Sequence, residues 1–150
     1  MLGVTKFLDE KLICFLDSED RDGALTCMVD MLDQNGNLDD REAFFQAILD
    51  REKLVSTGIG MGVAIPHAKL PVYDDFFIAI GIQKGKGLDW NAMDGTTVQL
   101  IFLVGGPDDK QTQYLQILSQ LTMAVKDEDR RQALLQVESP EDVLGLFRDL

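Results

Sequence analysis

The chain has 150 residues, of which 45% are hydrophobic, 27% charged and 7% aromatic, a composition that excludes a fibre, a disordered tail and a disulfide-stapled miniprotein. Its 14 basic and 26 acidic residues give a net charge of −12, which repels nucleic-acid phosphates and anionic lipid and favours a partner with a basic face. No apolar run reaches membrane-spanning length, and MLGVTKFLDEKL at the N-terminus carries acids where a signal peptide needs an apolar stretch. The expectation is therefore one cytoplasmic domain over residues 1–150 with no membrane insertion.

Residues 12–16 form a short apolar run that predicts a first strand. Ser18 is expected to cap the helix that follows, with Glu19 and Asp20 in its acidic first turn. Ala24, Leu25, Met28, Met31 and Leu32 then recur at helical spacing as far as the Asn35-Gly36 stop. Asp39 or Asp40 caps a second helix, with Phe44, Phe45, Ala47 and Ile48 on its apolar face and Arg51, Glu52 and Lys53 at its C-terminal end. Residues 56–62 read as a flexible small-residue loop, and Val63, Ala64 and Ile65 as a strand that ends at Pro66 and His67.

Residues 76–83 and 98–104 predict two more strands, apolar enough to be buried on both faces, with an Asp94-Gly95 turn between them. Pro107, Asp108 and Asp109 open a third helix, with Tyr114, Leu118, Leu121 and Val125 on one stripe and Leu115 and Ile117 beside it. Ser139 caps a last helix that has Pro140 at its first position. Interleaved strands and helices imply an α/β fold: a single layered domain with a central mixed β-sheet flanked by helices. Cys14 and Cys27 are expected as reduced core residues, and Met28, Met31 and Met123 as core fillers. Trp90 either lines a docking surface or covers a sheet edge.

Several familiar chemistries fail on spacing. Gly58, Gly60 and Gly62 lead into a strand, whereas a dinucleotide fingerprint needs G-x-G-x-x-G leading into a helix. The segment from Asp33 starts like a calcium loop, but Leu38 replaces the required glycine and Phe44 the bidentate glutamate. One histidine and 2 separated cysteines cannot build a tetrahedral zinc site within one chain, and no G-x-S-x-G elbow supplies a hydrolase nucleophile. Neither a metal nor a cofactor is expected.

His67 remains. Pro66 lacks an N–H and biases Ile65 to an extended conformation, so regular pairing should stop there and the imidazole should project at a sheet edge or mouth. The glycines at 58, 60 and 62 let backbone N–H groups approach an anion closely, Ser56 and Thr57 add hydroxyl donors, and Arg51 could complete an oxyanion clamp. Neutral imidazole is a nucleophile that can carry a group on one nitrogen while the other is held by a hydrogen bond. Phosphoryl transfer suits this set, because positioning and charge stabilisation do most of the work in that reaction.

The stretch Arg51-Glu52-x-Leu54-x-Ser56-Thr57-Gly58-Ile59-Gly60-x-Gly62-x-Ala64-Ile65-Pro66-His67-Ala68-Lys69 resembles the type 2 enzyme IIA domain of the bacterial phosphoenolpyruvate-dependent phosphotransferase system, the fructose/mannitol and nitrogen-regulatory group. The resemblance runs over essentially the whole chain. It implies that His67 accepts a phosphoryl group from HPr or its nitrogen-branch counterpart, that Arg51 holds the phosphoryl oxygens, and that Ser56, Thr57 and the three glycines shape the pocket. It also implies onward partners, an enzyme IIB component or a regulatory target, and favours a free-standing nitrogen-regulatory protein over a single-domain sugar-specific component. Where the family commonly has a second histidine this chain has Tyr114, whose hydroxyl can donate to a phosphoryl oxygen or to imidazole but cannot become cationic. Tyr114 equally suits the core of its helix, and its presence keeps open a regulator that acts by association without obligatory phosphotransfer.

Overall fold

The computed structural model describes residues 3–148. Two short 3-10 turns, Val4–Phe7 and Glu10–Leu12, precede β1 (Ile13–Leu16), α1 (Arg21–Gln34) and α2 (Arg41–Leu54). Three short strands follow, β2 (Gly58–Gly60), β3 (Val63–Ala64) and β4 (His67–Lys69). The chain then forms β5 (Phe77–Gln83), β6 (Leu100–Gly106), α3 (Gln111–Lys126), α4 (Glu128–Leu134) and α5 (Pro140–Gly145).

The strands form one mixed sheet in the order β1-β5-β6-β3-β2, with β4 also paired to β6. β5 and β6 are antiparallel at its centre, β1 runs parallel to β5, and β3 and β4 run parallel to β6. Every residue of β5 and β6 is buried, and successive residues serve opposite faces as the pleat requires. Ile78, Ile80, Phe102 and Val104 pack with Ile117, Leu121 and Val143 under α3 and α5. Phe77, Ala79, Ile101 and Leu103 pack with Met28, Leu32, Phe44 and Ile48 under α1 and α2. The result is the expected central sheet between two helical layers.

Some local expectations are corrected. Asp20 caps α1 by accepting from the Gly23 N–H at 2.7 Å. Ser18 lies two residues before that cap, with its N–H and carbonyl paired to the side-chain amide of Gln83 at 3.0 and 2.9 Å. Asp40, one of the two candidates, caps α2. Cys27 is exposed, and so are Met123 at 69% and Leu115 at 53%, because these positions fall on the outer faces of α1 and α3. α3 begins only at Gln111, with no side-chain cap. α4 went unpredicted, since EDRRQAL holds too few apolar residues to show a helical period, although Asp127 caps it.

The loop expected over 56–62 is in part β2, which pairs antiparallel with β3 across a bulge between Gly58 and Gly60. Pairing also continues past Pro66. Ala64 sits opposite Ile101 and His67 opposite Val104, so β3 and β4 keep a single register on β6. The proline removes only a donor, and its carbonyl still accepts from the Val104 N–H at 2.9 Å.

Close layer packing depends on glycine at Gly105, opposite Ala68 on β4 and Phe77 on β5. A Cβ there would lie 2.4 Å from the Phe77 ring and 2.8 Å from Phe44. Gly105→Ala is expected to lower unfolding free energy by about 1–3 kcal/mol through overpacking, measured as a shift in urea midpoint. Gly145→Ala, at a helical position where an added methyl meets nothing within 4 Å, should instead raise it by about 0.4–1 kcal/mol through the lost freedom of the unfolded chain.

Candidate functional site

Arg51 lies in the last turn of α2 and His67 opens β4, and the packing of α2 against β4 brings together residues 16 apart in sequence. The half-buried imidazole is held at both nitrogens. Nδ1 lies 3.1 Å from the Ile65 carbonyl oxygen, which can only accept, so the proton resides on Nδ1. Nε2 then carries the lone pair, and it accepts from Arg51 Nε–H at 3.1 Å. Arg51 Nη1 in turn donates to the Val55 carbonyl at 2.8 Å, which anchors the guanidinium across the end of its own helix.

Burial holds the His67 pKa below the ordinary imidazole value of 6.5, the nearby cations Arg51 and Lys69 push it the same way, and the Ile65 hydrogen bond and Glu52 oppose them. The ring is therefore neutral at pH 7, with a defined tautomer and its nucleophilic nitrogen facing an arginine.

A cavity of about 180 Å³ lies against His67, lined by Arg51, Ser56, Thr57, Ile59, Ile65, His67, Leu118 and Thr122. Arg51, Ser56, Thr57 and His67 thus share one site. Gly58, Gly60 and Gly62 are not among the residues that line it. A Cβ on Gly58 would meet Ala92 Cβ at 2.9 Å, while Gly60 and Gly62 adopt φ of 94° and 77°, where a side chain is strained. Asp94 fastens this hairpin by accepting from the Met61 N–H at 3.1 Å, and Thr96 Oγ1 accepts from the Gly62 N–H at 3.3 Å.

The hydroxyls of Ser56 and Thr57 are engaged inside the wall of the cavity. Ser56 Oγ donates to the Trp90 carbonyl and accepts from the Gly58 N–H at 3.0 Å. Thr57 Oγ1 donates to Glu52 and accepts from Trp90 Nε1–H at 3.1 Å. Glu52, only 4% exposed, also accepts from the Thr57 N–H at 3.3 Å and from Trp90 Nε1–H at 3.2 Å.

Sequence reasoning placed this carboxylate at the C-terminal end of the second helix and gave it no role in the site. The available signal was Trp90, which is 1% exposed: a buried indole N–H needs an acceptor. Of the two readings of Trp90, the structure selects a packed residue over a docking aromatic. Tyr114 is 5% exposed, belongs to the core under α3, and places its ring 5.6 Å from that of His67, centroid to centroid.

Glu52→Ala leaves buried donors on Thr57 and Trp90 short of an acceptor and should cost about 1–3 kcal/mol in stability. Because the chain has 1 tryptophan, its fluorescence reads that wall directly, and the emission should shift to longer wavelength as water reaches the indole.

Comparison with known proteins shows the family of the chain. The family described as "Phosphoenolpyruvate-dependent sugar phosphotransferase system, EIIA 2" matches residues 6–149. The fructose-specific EIIABC component of Bacillus subtilis (strain 168) is 36% identical over 147 residues, 97% of this chain, which spans 23% of that longer relative. The fructose-specific EIIA component of Haloferax volcanii is 36% identical over 130 residues, covering 87% of this chain and 84% of that one. The crystal structure of the nitrogen regulatory protein IIA-Ntr from Neisseria meningitidis superposes with a TM-score of 0.88 at 26% identity, over 96% of this chain and 98% of that one. The chain belongs to the EIIA 2 family of the phosphoenolpyruvate-dependent sugar phosphotransferase system.

Proposed function

We propose that this chain is a phosphocarrier in which Nε2 of His67 receives a phosphoryl group from a phosphohistidine on an HPr-type carrier protein and later passes it on. The observation that carries the reading is the pair of hydrogen bonds that fixes a neutral imidazole with its lone pair on Nε2. In the transfer, that lone pair forms the new P–N bond while the donor's P–N bond breaks and its electron pair returns to the donor imidazole. Arg51 Nε–H gives up the nitrogen and turns to the phosphoryl oxygens, where a guanidinium fork binds well. The Ile65 carbonyl stays on Nδ1–H and stabilises the positive charge the phosphorylated ring acquires.

A protein partner suits the mouth of the cavity, because Val55, Ile59 and Leu115 are exposed apolar residues on the elements that frame it. The net charge of −12 favours a donor with a basic docking face. By the family resemblance the onward acceptor is an EIIB-type component or a regulatory target, and the work is done in the cytoplasm. Among the described residues no helix is long and apolar enough to cross a membrane.

Intact-protein mass after incubation with phosphoenolpyruvate, enzyme I and HPr or a nitrogen-branch carrier should show one acid-labile, base-stable phosphoryl group that His67→Ala protein lacks. No transfer to folded protein from either carrier would overturn the reading and leave association alone as the activity. Arg51→Ala should still accept the group but roughly 10²–10³-fold more slowly, the usual loss when one preorganised donor to a developing charge is removed.

The pH dependence follows from the neutral nucleophile. Protonation of Nε2 abolishes it, and the His67 pKa is held below 6.5. The second-order rate of phosphorylation should therefore stay level from pH 8 through neutrality and fall only under a midpoint below that value, once the donor's own titration has been subtracted.

A further inference from the structure

We infer that Lys69 is the second cation of the phosphorylated site, held in place by the ring of Tyr114. The inference rests on the phosphocarrier reading above and adds a residue to it. β4 spans His67–Lys69, and residues two apart on a strand project from the same face. His67 and Lys69 are both half-buried there.

The lysine ammonium lies 4.1 Å from the centroid of the Tyr114 ring, well within cation–π range. The same ring lies 5.6 Å from His67 at an interplanar angle of 54°. One aromatic plate therefore touches both side chains. The plate is fixed, since Tyr114 is 5% exposed and stacks on Phe76 at 6.2 Å and 25°. A second contact, Lys69 Nζ donating to Gln111 Oε1 at 2.8 Å, ties the ammonium to the first residue of α3.

Both partners of Lys69 are neutral. In a chain with 26 acidic residues, neither Lys69 nor Arg51 forms an ion pair with a carboxylate within 4.0 Å among the described residues. Two cations beside one histidine with no carboxylate to neutralise them make a site that lacks an anion. A phosphoryl group brings about −2 of charge and supplies it. The Lys69 charge already reaches the imidazole, where it acts with Arg51 to disfavour a proton. Tyr114 cannot supply a positive charge, since a phenol is either neutral or anionic, and burial keeps it neutral by pushing its hydroxyl up to about 12. Its contribution is to seat a lysine that can. Lysine suits this task because its flexible stem lets the ammonium leave a weak aromatic contact for a phosphoryl oxygen without moving the strand.

The test uses Lys69→Met, Lys69→Arg, Tyr114→Phe and Tyr114→Leu with wild-type protein, each checked for folding by its NMR spectrum. Phosphorylation by HPr is followed to equilibrium, and the lifetime of the phosphohistidine is measured after the donor is removed. Lys69→Met should shift the equilibrium toward the donor by about tenfold, the size of one partly exposed charge contact to a phosphoryl group. Lys69→Arg should stay within about threefold of wild type on the same scale.

Tyr114→Phe keeps the plate and should match wild type, whereas Tyr114→Leu should lose about as much as Lys69→Met. The double variant should lose no more than the larger single change. A readout that a packing role would not move is the imidazole pKa of the unphosphorylated protein, which should rise in Lys69→Met. If Lys69→Met fails to fold, Lys69→Gln serves the same measurements. Phosphorylated wild type with Lys69→Met inside twofold of it and an unmoved imidazole pKa would overturn this inference alone. Wild type that takes no phosphoryl group on His67 would overturn the phosphocarrier reading beneath it.

Discussion

The site depends on one constraint, an imidazole clamped at both nitrogens. The Ile65 carbonyl fixes the proton on Nδ1 and Arg51 Nε–H marks Nε2 as the lone pair. Either bond alone would leave the tautomer or the ring orientation open, and a nucleophile with a wandering proton is a poor one. Arg51 has a double task that follows from its position. At rest it occupies the nucleophile, and its charge adds to the burial that keeps that nitrogen unprotonated. The same group is then the nearest cation when an anion arrives.

The fold is arranged to hold that clamp. Pro66 removes one donor from the strand without breaking its register, so His67 opens β4 opposite Val104 and the Pro66 carbonyl still ties the chain to the central strand β6. Gly105, beside Ala68 on that strand, lets the sheet approach the Phe44 and Phe77 rings closely enough for α2 to deliver Arg51. On the other side of the cavity a buried carboxylate organises the wall. Glu52, one residue after Arg51, gathers Thr57 and Trp90, so a single turn of α2 supplies both the cation that faces the histidine and the acceptor that fixes the opposing loop. Removing a partner from such a network costs more than the average hydrogen bond, because the remaining donors stay buried.

Much of this was legible in the sequence, and the parts that were not share a physical cause. The central strands announced themselves, since residues 76–83 and 98–104 are apolar without alternation and only a sheet covered on both faces needs that. Arg51, the small-residue stretch and Pro66-His67 were visible as a constellation because each is an unusual residue for its place. Hidden were features decided by tertiary contact. Whether Ser56 and Thr57 turn their hydroxyls out to a ligand or in to Glu52 and Trp90 is set by residues more than thirty positions away in the case of Trp90. The strand character of residues 58–60 comes from pairing with β3, which glycine composition conceals. The cap of α1 is Asp20, and Ser18 before it is held at its backbone by Gln83, far along the chain. Tyr114 showed its apolar stripe position plainly, but its role as a plate between His67 and Lys69 needed the meeting of α3 with β4.

The most direct test of the account is a long-range proton–nitrogen NMR spectrum of His67 before and after phosphorylation, which is unambiguous because the chain has 1 histidine. The account predicts a neutral ring at pH 7 with its proton on Nδ1 and, after transfer, phosphorus coupled to Nε2. A resting ring protonated on Nε2, or a phosphoryl group on Nδ1, would contradict it.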